Sequence, residues 1–171
     1  MGPPGPGWLP ARVRAESGEP LLDWAYFGDR RLTEPFYEES VARARAASPA
    51  LITTRLADLT HWRGPASLQP TGLIFHMSRC GSTLVSQVLS ASSENVVISE
   101  APALDSLLRG GGTQVAAEQR VAWIRWIVSA LAQQRTGQET RCFIKLDCWH
   151  VPYLPLLRKA LPEVPDRKSV V

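Results

Sequence analysis

Segment 78–83, with the sequence SRCGST, contains residue types that bind oxyanions. It follows an apolar run and precedes a helical pattern, so successive backbone N–H groups and the positive end of the helix dipole would point into one concavity. Gly81 lets the backbone approach a ligand closely, and Arg79 offers a planar fork suited to a tetrahedral anion. Ser82 and Thr83 add hydroxyl donors. The segment predicts an anion cradle; the alternative is a plain helix cap beside a surface arginine.

Three familiar anion-loop classes do not fit this segment. It is not a Walker A loop, because His76 stands where the first glycine belongs and no lysine follows Gly81, which disfavours ATP hydrolysis. No arginine follows Cys80 closely enough to close a cysteine-phosphatase loop, so Cys80 is predicted to be a small loop residue. Ser78 and Ser82 lack the flanking glycines of a serine-hydrolase nucleophile.

Two charged residues stand where predicted strands end. Glu100 follows the apolar run 96–98, and Lys145 lies in the run 142–146. Ligands of open α/β sheets bind outside the carboxyl ends of the strands. A lysine in an apolar strand is costly to bury unpaired, which favours a polar site. For Glu100 the alternative is a cap on the helix that follows Pro102.

The elements that position these residues follow from the spacing of apolar residues. From Thr71 onward, short apolar runs alternate with helical patterns, which predicts an α/β domain with a mostly parallel sheet flanked by helices in three layers. In the first helix, Leu84, Val88 and either Val85 or Leu89 are expected to face the sheet. The predicted strands are 72–77, 96–98 and 142–146, and the predicted helices are 83–91, 102–109, 113–135 and one from about 152.

The rest of the chain is predicted as follows. Residues 1–20 are rich in Pro and Gly and are expected to be a flexible leader. Residues 21–69 are expected to be a helical extension, with helices over about 33–47, capped by Thr33, and over 51–62. A three-stranded parallel sheet leaves an open edge, so residues 70–165 are interpreted as the N-terminal half of a domain that is incomplete at its C-terminus. Residues 166–171 are interpreted as an artefactual tail.

Composition excludes several classes of protein. The chain of 171 residues is 44% hydrophobic and 20% charged with a net charge of +3, and its basic residues form no long run, so no nucleic-acid partner is expected. No apolar stretch is long enough to span a membrane, and no secretory signal is recognisable. The 3 cysteines form no CxxC pair and no zinc-site spacing with His61 or His150, which favours a reduced, cytoplasmic protein without a metal.

Residues 75–102, FHMSRCGSTLVSQVLSASSENVVISEAP, resemble the strand, loop, helix and strand of the sulfotransferase superfamily. The resemblance covers about residues 71–161 and implies a P-loop-like fold and the co-substrate 3′-phosphoadenosine 5′-phosphosulfate. It implies that Glu100 is the catalytic base and that Lys145 steadies the bridging oxygen, although Asp147 is one place later than in the family's Lys-Asp pattern. Cys80 and Ser82 replace the commoner Ser and Thr. The residues implied to surround the phosphosulfate are Arg79, Cys80, Gly81, Ser82 and Thr83.

The expected function is therefore transfer of a sulfuryl group to an unknown hydroxyl acceptor without a metal. The family's 3′-phosphate contacts are expected beyond residue 165, so this copy is expected to be inactive by itself. Two alternatives stay open: a kinase-like nucleotide-binding P-loop protein, and a non-catalytic phosphate- or nucleotide-binding module. His76, on the strand before the loop, is expected to face either the site or the sheet.

Overall fold

The computed structural model describes residues 4–61, 64–109 and 115–169. Its N-terminal part is an antiparallel sheet of three strands in the order β1-β2-β3, formed by β1 (Trp8–Glu16), β2 (Glu19–Tyr26) and β3 (Leu51–Arg55). β1 and β2 are a hairpin whose two turn residues, Ser17 and Gly18, have φ of 51° and 82°. Two consecutive positive φ values match the right-handed twist of the flanking strands, which is why this turn closes the hairpin.

The prediction of a flexible leader over residues 1–20 was wrong for β1. Leu9, Ala11 and Val13 are buried and alternate along the strand, so one face of β1 enters the core. The Pro and Gly content had concealed this two-residue period. Gln133 fixes the start of the strand, since its side-chain nitrogen donates to the Trp8 carbonyl at 2.8 Å.

The predicted helical extension over 21–69 was wrong in part: the described residues of this range include two strands, but the helix predicted over about 33–47 is present as an α-helix. That helix, α1 (Tyr37–Ala47), begins after Phe36 and without a side-chain cap, so Thr33 is not its N-cap. Tyr37 is buried and donates its hydroxyl to the Pro10 carbonyl at 2.9 Å. The predicted helix over 51–62 is instead β3 followed by a 3₁₀ segment (Leu56–His61).

The second sheet is parallel and has the order β5-β6-β4-β7. Its strands are β4 (Pro70–His76), β5 (Asn95–Ser99), β6 (Arg141–Lys145) and β7 (Asp166–Ser169). The predicted α/β architecture with a parallel sheet is confirmed. β7 pairs with β4 as the fourth strand of this sheet. The interpretation of residues 166–171 as an artefactual tail did not predict this strand.

The helices of this part are α2 (Ser82–Ser90), α3 (Pro102–Leu108), α4 (Ala117–Leu131) and α5 (Leu154–Ala160), with a 3₁₀ segment (Cys148–Tyr153) before α5. α3 packs against both β1 and α4, so it joins the antiparallel sheet to the parallel part. The predicted start of the helix over 113–135 lies outside the described residues. Among the helices described, none has the length and apolar character needed to cross a membrane.

α2 has the reverse orientation to the one predicted. Leu84, Val85 and Val88 are exposed, whereas the buried positions are serines. Two of them satisfy their hydroxyls inside the helix: Ser86 donates to the Thr83 carbonyl at 2.9 Å, and Ser90 donates to the carbonyl of Gln87 at the same distance. Because these hydroxyls need no outside partner, small polar side chains can pack inward.

The strand order positions a crevice. After β4 the chain passes through α2 to β5, at one edge of the sheet. After β6 it continues to β7, at the opposite edge. β4 and β6 are neighbours whose connections leave in opposite directions, which opens a crevice at their carboxyl ends. His76 and Lys145 are the last residues of these two strands.

Candidate functional site

The predicted anion loop lies between the end of β4 and the start of α2. Arg79 and Gly81 have φ of 63° and 80°, so the backbone turns through the left-handed region twice before the helix begins at Ser82. A Cβ atom at Gly81 would meet nothing within 4 Å. The conformation of the turn, and not lack of space within the protein, is therefore what favours glycine at this position.

A cleft of about 250 Å³ lies over this loop, and all five predicted phosphosulfate-binding residues line it. Ser82 is buried in the floor, while Arg79 is exposed. Glu100 also lines the cleft, so the structure brings the predicted base beside the predicted anion loop. The remaining lining residues are Phe36, His76, Ser78, Asp147, Cys148 and Trp149.

Glu100 and Lys145 form a buried ion pair at the carboxyl ends of β5 and β6. Lys145 is fully buried, and its ammonium donates to Oε1 of Glu100. The Glu100 backbone N–H donates to the Lys145 carbonyl at 2.9 Å, and its φ of 56° is unusual for a residue with a side chain. Phe36 adds a cation–π contact, with the ammonium 5.2 Å from its ring centre.

The structure distinguishes between the two sequence interpretations of Glu100, a polar site residue and a helix cap. The helix that begins at Pro102 has no side-chain cap, so Glu100 is not a helix cap. Its carboxylate instead compensates the charge of Lys145, which explains how a lysine is accommodated in the buried part of a sheet.

His76 faces the site. Its Nδ1 lies 3.0 Å from the Met77 carbonyl, an acceptor only, so Nδ1 carries hydrogen. Nε2 is 3.3 Å from Oε1 of Glu100, an ion-pair distance without hydrogen-bond alignment. Glu100 is therefore approached by a lysine and a histidine at the same oxygen.

Asp147 is a buried site residue that the sequence prediction did not assign. It follows β6 by two positions and lines the loop cleft, and its backbone carbonyl accepts the backbone N–H of His150 at 3.0 Å. Burial first, and then the charges of Glu100 and Asp105, raise the pKa of its carboxyl to about 7, which Lys145 partly opposes. Its place two residues beyond a buried strand lysine was a signal that could have identified it.

His150 is held in one tautomer by its neighbours. Its Nδ1 accepts the Asp147 backbone N–H at 3.1 Å, so in the neutral ring Nε2 carries the hydrogen and donates to Oδ1 of Asp105 at 2.8 Å. Trp149 donates its indole N–H to the same oxygen at 2.9 Å. Burial is the largest cause of a lowered pKa for His150. Asp105, Asp147 and His150 are close enough to suggest a cation site, but both ring nitrogens are engaged and hydrogen bonding accounts for the cluster.

A second, larger cleft of about 680 Å³ adjoins the loop cleft. The two share Phe36, Glu100, Asp147 and Trp149. The larger cleft is bounded on its other side by residues of β1, β2, α1 and β3, so the N-terminal sheet forms one of its walls. The carboxyl groups of Glu100 and Asp147 thus lie where the clefts meet.

Comparisons with known proteins do not identify the chain: no family model matches it, and neither does any curated protein or solved structure.

Proposed function

We propose that this protein is a sulfotransferase with a P-loop-like fold that transfers a sulfuryl group from 3′-phosphoadenosine 5′-phosphosulfate to a hydroxyl acceptor. One observation carries the proposal. The anion loop and the Glu100 carboxylate line one cleft at the carboxyl ends of β4 and β5, and that carboxylate accepts from the ammonium of Lys145, which is fully buried at the end of β6. These are the groups that in-line transfer of a sulfuryl group requires.

The loop is the proposed site of the phosphosulfate. Backbone N–H groups at the start of α2 and the Arg79 guanidinium would stabilise the negative charge of the donor, as they do for other tetrahedral anions. Lys145 would stabilise the bridging oxygen as the bond to sulfur breaks. In the structure Lys145 is fully buried, does not line the loop cleft and pairs with Glu100, so this role requires its ammonium to move into the cleft and share its hydrogen bonds between the carboxylate and the donor.

The larger cleft is the proposed acceptor site. It meets the loop cleft at Glu100 and Asp147, so a hydroxyl group entering from this side would find a carboxyl group to take its proton and the donor sulfur beyond it. The wall formed by the N-terminal sheet gives that part of the chain a role in shaping the acceptor site.

Calorimetric titration tests the proposal. Adenosine 3′,5′-bisphosphate, and separately ATP with magnesium, are titrated into the chain, its Arg79→Ala variant and an Arg141→Ala control. Arg141 is an exposed arginine at the amino end of β6, away from the loop. A charge-assisted hydrogen bond contributes about 1.5–3 kcal/mol, so Arg79→Ala should weaken bisphosphate binding by roughly 10- to 150-fold and Arg141→Ala should not.

The nucleotide preference separates the proposed function from a kinase-like one. Binding of the bisphosphate without a metal supports the sulfotransferase. Binding of ATP with magnesium alone would refute it and favour a kinase-like protein. Binding of the bisphosphate with equal affinity in the Arg79→Ala variant would show that the ligand does not occupy the loop.

A further inference from the structure

We propose that Asp147, and not Glu100, takes the proton from the acceptor hydroxyl, while Glu100 remains ionised and positions Lys145. This inference rests on the proposed function and assigns a residue that the family resemblance does not. It follows from how the two carboxyl groups are held.

Glu100 is engaged by a buried cation. Its Oε1 accepts from the buried ammonium of Lys145 and faces Nε2 of His76 at 3.3 Å. A proton added to this carboxylate would leave a fully buried ammonium without its counter-charge, which is costly in a protein interior. The buried ammonium of Lys145 therefore requires the Glu100 carboxylate as its counter-charge.

Asp147 is placed to receive a proton. It lies where the two clefts meet and is only 6% exposed. Its backbone N–H donates to Nδ1 of His150 at 3.1 Å, and its backbone carbonyl accepts the His150 N–H at 3.0 Å, so the backbone of Asp147 is fixed at the start of the 3₁₀ segment. It is thereby held ready for a hydroxyl group in the larger cleft.

The groups around Asp147 increase its affinity for a proton. Glu100 after β5 and Asp105 on α3 are acidic, and their negative charges increase the affinity of the Asp147 carboxylate for a proton. His150 lies on the 3₁₀ segment with Nδ1 3.6 Å from Oδ2 of Asp147 and is an acceptor at that nitrogen. A pKa raised to about 7 by burial and these charges suits a general base at neutral pH.

In the proposed transfer step the acceptor O–H bond breaks and its proton moves to the Asp147 carboxylate, while the acceptor oxygen forms a bond to sulfur. The bond between sulfur and the bridging oxygen breaks, and its electron pair remains on the 5′-phosphate of adenosine 3′,5′-bisphosphate, next to Lys145 and the loop. Asp147 releases the proton to solvent before the next cycle.

Carbon-13 NMR of the aspartate and glutamate carboxyl groups locates the proton in the wild-type chain. One aspartate should titrate near pH 7, and its signal should be missing in Asp147→Asn and present in the control Asp58→Asn, which removes an exposed aspartate. Glu100→Gln removes a neighbouring negative charge and should lower that midpoint by about one pH unit or more. An Asp147 midpoint near about 3.9, the ordinary aspartate value, would overturn the proposal, as would a glutamate titrating near pH 7 in its place.

Donor turnover tests the catalytic role, with 2-naphthol as the probe acceptor and release of adenosine 3′,5′-bisphosphate as the signal. If the wild-type chain shows no turnover, as expected without the 3′-phosphate contacts, the NMR titration alone decides the inference. Asp147→Asn should lower kcat by roughly 10²- to 10⁴-fold with little change in KM for the donor. The wild-type rate should rise through pH 7, and the rise should be lost in Asp147→Asn but move to lower pH in Glu100→Gln. Wild-type turnover that Asp147→Asn leaves unchanged would overturn this inference alone. Failure of the wild-type chain to bind the donor would overturn the proposed function, while the NMR titration would still show where the proton lies.

Discussion

Replacing Lys145 by methionine removes the buried charge that compensates Glu100. Lys145 is 0% exposed and the Glu100 side chain is 19% exposed. Breaking a buried ion pair from one side costs about 3–5 kcal/mol. The partial exposure of Glu100 lets water solvate the carboxylate that remains, so Lys145→Met should lower the free energy of unfolding by about 3 kcal/mol, the lower end of that range.

The opposite substitution should cost less. Glu100→Gln leaves a buried ammonium, but the nearby Asp147 carboxyl can ionise and supply part of the missing charge. We expect a loss of about 2 kcal/mol, below the usual range for a broken pair. The double variant contains neither charge, so its loss should be smaller than the sum of the single losses by at least about 2 kcal/mol.

Urea unfolding at pH 7.5, followed by tryptophan fluorescence, measures all three variants together with a Lys159→Met control. Lys159 is exposed on α5, and its replacement should change the free energy of unfolding by no more than about 0.5 kcal/mol. Single losses that add within about 0.5 kcal/mol in the double variant would refute the claim that this pair is energetically coupled.

Two further predictions concern the N-terminal sheet and Asp147. Leu9 is fully buried in β1, so Leu9→Ala should lower the free energy of unfolding by about 2–5 kcal/mol in the same assay. Arg12 is exposed on that strand, so Arg12→Ala should have little effect on the free energy of unfolding. Equal effects of the two substitutions would contradict the packing of β1. The folded chain holds a proton on Asp147 up to about pH 7, whereas an unfolded aspartate loses it near pH 4, so this group's contribution to stability should fall as the pH rises between these values, by at most about 1.4 kcal/mol per unit. Asp147→Asn should remove that dependence, and an unchanged pH profile of urea midpoints would contradict the raised pKa.

The parallel sheet could be predicted from the sequence because its signal is local. The segments 72–77 and 142–146 are apolar runs interrupted only by His76 and Lys145, and mostly apolar strands are typical of sheets buried on both faces. The orientation of α2 could not be predicted in the same way. Leu84 and Val88 are the more apolar residues of that helix, yet Ser86 and Ser90 are the ones that pack inward. Apolar periodicity cannot identify a buried face made of serines whose hydroxyls are satisfied within the helix.

The candidate site was predicted only in part for a similar reason. Gly81 and Arg79 belong to a short continuous segment, and the structure places them in the cleft where the sequence predicts an anion site. Glu100 and Lys145 were singled out by their places at strand ends, but their ion pair depends on which strands are neighbours. The place of Asp147 two residues beyond Lys145 was a sequence signal, but its raised pKa could not be predicted because it comes from burial and from charges that are distant in sequence.

The central position of β6 also determines the order in which the chain can assemble. β5 pairs with β6, and β4 pairs with β6 and β7. Neither β4 nor β5 can therefore pair within the parallel sheet until a strand later in the chain has been synthesised. The β1–β2 hairpin, in contrast, closes through a two-residue turn. During synthesis the antiparallel hairpin can therefore form early, while β4, β5 and the apolar surface of α2 leave the ribosome with no parallel partner. Nonlocal pairing of this kind slows folding and prolongs the exposure of unpaired strands, which makes the interval before β6 emerges the one in which a chaperone would matter most.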